Sequence, residues 1–315
     1  MKIVVLDKDT LGEDIDLTPF AAVGEVKVYE NTAQEELVDH IDDAEVVILN
    51  KVKLSGDVLC RAKKLKLICV AATGYDNIDV RYCKENSIAL CNVPGYSTDS
   101  VAQLTVAMVL SLATHLNEYR GYVHSGAYTE SGVANLLTPA YHELSSMTWG
   151  VVGGGNIGMK VAEIAAAMGC RVMVFRRKEE GVFPVVDLDT LCKECDVISL
   201  HLPLNEQTRG IFSRERIEST KKGVIIVNTA RGAVTDEQAL ADAVCSGHIG
   251  GLGADVYSKE PFGTEHPFYK LLGKANVCLT PHMAWGSVEA RARCVNEMAE
   301  NIRCFYMGET RNRIV

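Results

Sequence analysis

Short β-branched runs alternate with amphipathic stretches from one end of the chain to the other, the pattern of parallel sheets whose crossover helices cover both faces. Apolar runs predict strands at Ile3–Leu6, Val26–Tyr29, Val46–Leu49, Leu67–Ala71 and Ala89–Cys91, one five-stranded unit. The segment Asn92-Val93-Pro94-Gly95-Tyr96 breaks the pattern. Ser100, with Gln103 three residues on, then reads as a capping box opening a long helix through Leu116 that links two domains. A second series predicts strands at Thr148–Gly153, Val172–Phe175, Val197–His201, Val224–Asn228, Gly251–Val256 and Val277–Thr280, and six strands with helical crossovers suit a doubly wound nucleotide-binding domain. From Ser287 to Met307 the composition is helical, with Val295, Met298, Ile302 and Phe305 apolar, a segment able to return to the first domain. The expected class is α/β, with two doubly wound parallel-sheet domains.

Composition narrows the partners. A chain of 315 residues, 47% hydrophobic and 23% charged, has the make-up of a soluble globular protein with two domains. A net charge of -9 without a basic run longer than three residues argues against nucleic acid or an anionic membrane as the main partner. The N-terminus turns charged at Asp7 after four apolar residues, too soon for a secretory signal, so the expected location is the cytoplasm. The most apolar stretch, Val101 to Ala113, carries Gln103 and Thr105 and falls short of the ~20 residues of a membrane span. Eleven cysteines are scattered along the chain, and Cys192-x-x-Cys195 lacks a second ligand pair, so free buried thiols and no metal are expected.

The clearest local signal is Gly153-Gly154-Gly155-Asn156-Ile157-Gly158, set between the strand-like Thr148–Val152 and the helical Met159–Met168. In that frame Gly153 permits the tight turn, Gly155 lets the backbone approach a pyrophosphate, and Gly158 lets the helix pack on its strand. The helix start, with the amides at Asn156 and Ile157, offers the positive end of its dipole to the anion. At the end of the next strand an acidic residue would bind the ribose 2'-hydroxyl, but the sequence has Arg176-Arg177-Lys178. A guanidinium grips a 2'-phosphate that a carboxylate would repel. The cofactor reading is therefore NAD(P)(H), leaning to NADP(H), with a solvated basic turn neutralised by Glu179 and Glu180 as the alternative.

Three more segments fall at strand ends, where open α/β sheets build ligand sites: Asn228-Thr229-Ala230-Arg231-Gly232, Asp255 to Pro261, and Thr280-Pro281-His282-Met283-Ala284-Trp285. Singly, Arg231, Glu260 and His282 are a surface cation, a loop acid and one of eight histidines. Together they form an apparatus for carbonyl reduction. Hydride delivery to a carbonyl carbon leaves charge on oxygen, which needs a proton donor and an electrostatic clamp. His282 supplies the proton, Glu260 orients the ring, and Arg231 offers a planar fork to the substrate carboxylate and the carbonyl oxygen.

These segments, in this order, resemble the D-isomer-specific 2-hydroxyacid dehydrogenase family. Ala71-Ala72-Thr73-Gly74-Tyr75-Asp76-Asn77-Ile78-Asp79, Val93-Pro94-Gly95-Tyr96 and His201-Leu202-Pro203-Leu204 extend the likeness over nearly the whole chain. The resemblance implies a flavodoxin-like substrate domain from both chain ends, residues 1–98 and 285–315, around a Rossmann cofactor domain at 99–284. It further implies that Ala72 and the amides near Gly74 and Tyr75 bind the substrate carboxylate, that Asp255 holds the nicotinamide carboxamide, and that Thr229, Ala230, His201 and Pro203 line the cofactor pocket. A homodimer is implied as well. The Trp285 segment looks most like the glycerate dehydrogenase or hydroxypyruvate reductase branch, with Trp285 near the substrate. Two rivals stand beside this reading: a phosphoglycerate dehydrogenase, and a nucleotide-sensing corepressor-type binding protein of the same fold.

Overall fold

The structure, a computed structural model, describes residues 1–177 and 181–315. Two compact units divide the chain, Met1–Ser97 with Gly286–Val315, and Thr98–Trp285.

In the first unit, β1 (Lys2–Val5), β2 (Glu25–Val28), β3 (Val46–Leu49), β4 (Leu67–Val70) and β5 (Ala89–Cys91) form one sheet in the order β2-β1-β3-β4-β5. All pairings are parallel, and this is the flavodoxin-like order. Central β3 and β4, VVIL and LICV, are buried throughout, while edge β2, EVKV, is mostly exposed. Strands covered on both faces read as continuous apolar runs, and edges do not. The helix Val288–Tyr306, capped by Ser287, buries Cys294, Val295, Met298, Ala299 and Ile302 and packs on β4. Behind it the C-terminal segment pairs with β5, the Ile314 amide donating to the Leu90 carbonyl at 2.8 Å.

In the second unit, β6 (Thr148–Val152), β7 (Arg171–Phe175), β8 (Val197–Leu200), β9 (Val224–Asn228), β10 (Ile249–Ala254) and β11 (Val277–Leu279) lie in the order β11-β10-β9-β8-β6-β7, all parallel. A single parallel bridge from Val185 to Val174 extends this sheet beyond β7. Counting that bridge as the third strand gives the Rossmann order 3-2-1-4-5-6 with β11 as a seventh strand beyond β10, and the reversal of strand order falls between β6 and β8.

Four expectations need correction. The linking helix runs Thr98–Ala113, so Ser100 is inside its first turn rather than at its cap, and its hydroxyl donates to the Ala284 carbonyl at 2.6 Å. The helix stops short of Leu116 because His115 turns left-handed (φ 51°), and the next helix, Leu116–His124, leaves at 65°. Thr98 and Trp285, expected in the first unit, belong to the second: Thr98 opens this helix, and the Trp285 indole is tied to the His282 carbonyl. β10 begins at Ile249, two residues before the expected Gly251, and ends at Ala254. Its glycines explain the misreading. A Cβ at Gly251 would lie 3.1 Å from Leu112, and one at Gly253 would lie 3.2 Å from Met108, so glycine admits the long helix onto this strand at the cost of its β-propensity.

Candidate active site

The loop after β6 is shaped by three glycines with three different duties. Gly153 takes φ +113°, and a Cβ there would sit 2.6 Å from the His201 carbonyl oxygen. At Gly158 a Cβ would fall 1.8 Å from the Gly153 carbonyl oxygen, which fixes the helix Asn156–Ala167 tightly under the turn. Gly155 differs, since a Cβ there would meet nothing within 4 Å. It is also the N-cap, and it offers no side chain to the first-turn amides. Exposed Gly155 and Asn156 and half-buried Ile157 therefore leave an open cradle of amides at a helix start, which fits a pyrophosphate.

Arg176 follows β7 and folds over this loop, its Cδ where a Gly154 Cβ would be and its Nη1 3.9 Å from the Met159 sulfur. Its Nε and Nη2 are buried and lack a hydrogen-bond partner among the described residues. A buried guanidinium without an anion is costly. Arg177 is exposed and donates to the Gln207 side chain at 2.6 Å. Lys178, Glu179 and Glu180 lie outside the described residues. On the other side of the loop, both ring nitrogens of His201 are buried without a partner among the described residues although the residue keeps some exposure, and burial pushes the imidazole down to about 3. Next to it, Pro203 is exposed, and its carbonyl accepts from the Thr208 hydroxyl at 2.6 Å.

Beyond β9 the buried Asn228 side chain shapes the turn, accepting from the Ala230 amide at 3.0 Å and donating to the Arg231 carbonyl at 2.9 Å. Thr229 is held by Thr105, hydroxyl to hydroxyl, at 3.0 Å. The Arg231 guanidinium donates to the Ala230 carbonyl at 2.8 Å.

The loops after β10 and β11 form one constellation. Asp255 is buried, and its carboxylate accepts from the Thr280 hydroxyl (2.6 Å) and the amides of Met283 (2.8 Å) and Ala284 (2.9 Å). Burial pushes this carboxyl above its ordinary range, against the pull of those three bonds. Between them stands His282, in left-handed backbone at φ 54°, a conformation that costs about 1 kcal/mol or more for a non-glycine residue and persists only where its surroundings impose it. The Trp285 indole adds a bond to the His282 carbonyl at 3.0 Å. His282 Nδ1 then lies 2.6 Å from Glu260 Oε2, and Glu260 Oε1 accepts from the Tyr257 amide at 3.0 Å. Glu260 thus holds Nδ1 and fixes the orientation of the ring.

In the first unit, Ala72, Gly74 and Tyr75 form the loop after β4. It is anchored by the Val93 amide on the Ala72 carbonyl (3.0 Å) and the Asn92 side chain on the Thr73 carbonyl (2.7 Å). Among the described residues the Gly74 and Tyr75 amides carry no hydrogen bond. Nearby, buried Asp7 gathers the amides of Asn50, Lys51 and Val52, which fixes the loop after β3.

Sequence reasoning missed Asn228, the loop-holding work of Asp255 and Trp285, and Tyr257, whose hydroxyl donates to the Thr280 carbonyl at 2.8 Å. The signal for Asn228 was its place as the last residue of a strand otherwise apolar. Cys192 and Cys195 are buried core thiols, and no group of metal-ligating side chains occurs among the described residues.

Residues 106–284 match the model of the D-isomer specific 2-hydroxyacid dehydrogenase NAD binding domain. The chain belongs to the D-isomer-specific 2-hydroxyacid dehydrogenases. It is 35% identical to a hydroxypyruvate reductase of Blautia hydrogenotrophica, over 99% of both chains. It is 33% identical to a glycerate dehydrogenase of Methylorubrum extorquens, over 99% of this chain and 98% of that one. Its structure matches the D-lactate dehydrogenase of Aquifex aeolicus complexed with NAD and lactic acid, with TM-score 0.86 and 29% identity over 98% and 96% of the two chains. As a D-2-hydroxyacid dehydrogenase, the protein is an oxidoreductase that transfers hydride between a nicotinamide cofactor and a small 2-keto or 2-hydroxy acid.

Proposed function

We propose that this dehydrogenase reduces hydroxypyruvate or glyoxylate with NADPH, that Arg231, Glu260 and His282 carry the chemistry, and that it works as a cytoplasmic homodimer. The observation that carries the catalytic assignment is the 2.6 Å bond from Glu260 to His282 Nδ1, made in a loop whose strained backbone Asp255 and Trp285 hold in place.

The bound cofactor supplies the hydride. His282 Nε2 gives a proton to the substrate oxygen, and Glu260 stabilises the imidazolium before transfer and orients the ring after it. Arg231 holds the substrate carboxylate and stabilises charge on the oxygen. The amides of the Ala72–Tyr75 loop bind the carboxylate too, and Trp285 bounds the substrate. Gly153, Gly155, Asn156, Ile157 and Gly158 cradle the pyrophosphate, and Thr229, Ala230, Asp255, His201 and Pro203 line the rest of the cofactor site. The buried Nε and Nη2 of Arg176, without a hydrogen-bond partner among the described residues, support a 2'-phosphate and hence NADPH.

Exposed Leu116, Val123, Val133, Leu137 and Tyr141, on helices and loops that bury no residue of their own between 116 and 131, support a second copy as the partner of this segment. Among the described residues no single helix is long and apolar enough to cross a membrane.

The test is turnover of NADPH and NADH with glyoxylate, hydroxypyruvate, pyruvate, 3-phosphohydroxypyruvate and bulkier keto acids. Hydroxypyruvate or glyoxylate should lead. A phosphorylated or bulky acid in front would overturn the substrate assignment. His282→Ala should lower kcat about 100-fold or more with cofactor binding intact, and full activity would remove His282 from the mechanism.

A further inference from the structure

Glu237 is a buried acid to which the chemistry above gives no part. It stands in the first turn of the helix Glu237–Ser246, directly after the N-cap Asp236. One 3-10 turn, Gly232–Val234, separates it from Arg231. Only 8% of it is exposed. Its Oε1 accepts from the Ser258 amide at 2.9 Å, and its Oε2 accepts from the Ser258 hydroxyl and from His266 Nε2 at 3.0 Å. His266 Nδ1 accepts from the Phe268 amide at 3.2 Å, so Nε2 carries the hydrogen and points it at Glu237.

Ser258 and His266 are the two ends of the loop that carries Glu260. One carboxylate therefore closes that loop at its base. Inside it, Phe262 lies between Tyr257 and His266, with ring centroids at 4.6 and 4.9 Å. The Tyr257 amide, adjacent to the clamped Ser258, is the donor to Glu260 Oε1. On the other side, the Arg231 segment presses on the same spot: a Cβ at Gly232 would lie 2.1 Å from the Tyr257 carbonyl carbon and 2.2 Å from the Ser258 amide nitrogen. The segment bearing Arg231 and the loop bearing Glu260 meet backbone to backbone, and Glu237 ties them together.

We propose that Glu237 is a positioning residue, whose buried carboxylate sets Glu260 against His282 and fixes that pair relative to Arg231. This rests on the reading of Glu260 and His282 as the catalytic pair. A charge is buried here at a desolvation cost, and what it secures is register between two loops. A neutral amide fails in the same place, because a glutamine side chain offers one acceptor oxygen, and whichever way it is turned its NH2 group opposes an N–H, that of His266 or that of the Ser258 amide. A tautomer change at His266 does not relieve this, since Nδ1 must still accept from Phe268.

Glu237→Gln and Ser258→Ala are compared with the wild type in the full-length protein. The first readout is the downfield proton resonance of the hydrogen bond between His282 and Glu260, assigned by its loss in Glu260→Gln. The second is the split between kcat and the dissociation constant of the nicotinamide cofactor. In Glu237→Gln the resonance should move upfield or broaden, and kcat should fall about tenfold with the cofactor constant changed less than about twofold. Ser258→Ala removes a single hydroxyl donor and should shift both readouts the same way by less, so it decides the matter if Glu237→Gln does not fold. An unmoved resonance with unchanged kcat in folded variants would overturn the proposal. So would a parallel loss of cofactor binding and kcat, the mark of a merely structural role. If His282→Ala keeps full turnover, the catalytic reading fails while the resonance still reports whether Glu237 positions Glu260.

Discussion

The imidazole of His282 and the carboxylate of Glu260 come from loops after different strands, β11 and β10, and meet at 2.6 Å. Replacing Glu260 with Gln keeps the side chain's size but removes the charge that stabilises the imidazolium, so kcat should fall about 10- to 100-fold. The cofactor dissociation constant should stay within about twofold. Steady-state kinetics with a cofactor titration check this, and an effect confined to cofactor binding would contradict the assignment.

Gly155 and Gly158 should respond oppositely to alanine. Gly158→Ala forces a methyl group to 1.8 Å from the Gly153 carbonyl and should destabilise the fold by about 1–3 kcal/mol or more. Gly155→Ala meets only open space and should leave the melting temperature nearly unchanged while weakening cofactor binding, because the methyl group enters the space a pyrophosphate needs. Thermal melts and cofactor titrations on both variants separate the two duties. Equal cofactor affinity in Gly155→Ala would argue against the cradle.

Arg176→Ser should raise the KM for NADPH about tenfold or more and leave that for NADH little changed, since in the proposed site the guanidinium pairs with the 2'-phosphate that NADH lacks. The ratio of kcat/KM for the two cofactors measures it. An unchanged ratio would return Arg176 to the status of a basic turn.

His201 predicts a pH dependence of stability. Burial pushes its folded-state value from 6.5 down to about 3, so between these values the unfolded chain binds a proton that the folded chain does not. Its contribution is complete above 6.5 and is lost as the pH falls toward 3, at up to about 1.4 kcal/mol per pH unit. Urea unfolding at about pH 5 and about pH 7.5 should show a smaller acid loss in His201→Gln than in the wild type. Equal losses would mean that the ring does not stay neutral.

Burial pushes Cys192 up to about 11 and Cys195 to about 12. A thiol reagent should therefore label exposed Cys245 in the native protein and reach Cys192 and Cys195 only on unfolding. Mass spectrometry after timed labelling checks this, and rapid native modification of the pair would reopen a redox role.

The alternation of apolar runs made the α/β class and nearly every strand legible, because strands buried on both faces leave continuous signatures. β10 was misplaced where packing overrode propensity, its glycines making room for Met108 and Leu112. Ser100 looked like a cap by pattern, yet its hydroxyl serves Ala284, a contact spanning 184 residues that no local window contains. The third strand left no apolar run to read, because among the described residues it is a single bridge at Val185. In the proposed site, motif order singled out Arg231, Glu260 and His282. The residues that hold them were not, for Asp255, Asn228 and Glu237 act through backbone amides whose positions only the folded chain supplies.

The first unit takes its sheet from the start of the chain and the helix Val288–Tyr306 from its end. During synthesis the second unit, continuous in sequence, has all its strands before that helix leaves the ribosome, and the face of β4 that the helix covers waits exposed through the whole of it. In that interval the nascent chain is most open to aggregation, until the helix Val288–Tyr306 covers the face and Ile314 pairs with the edge of β5.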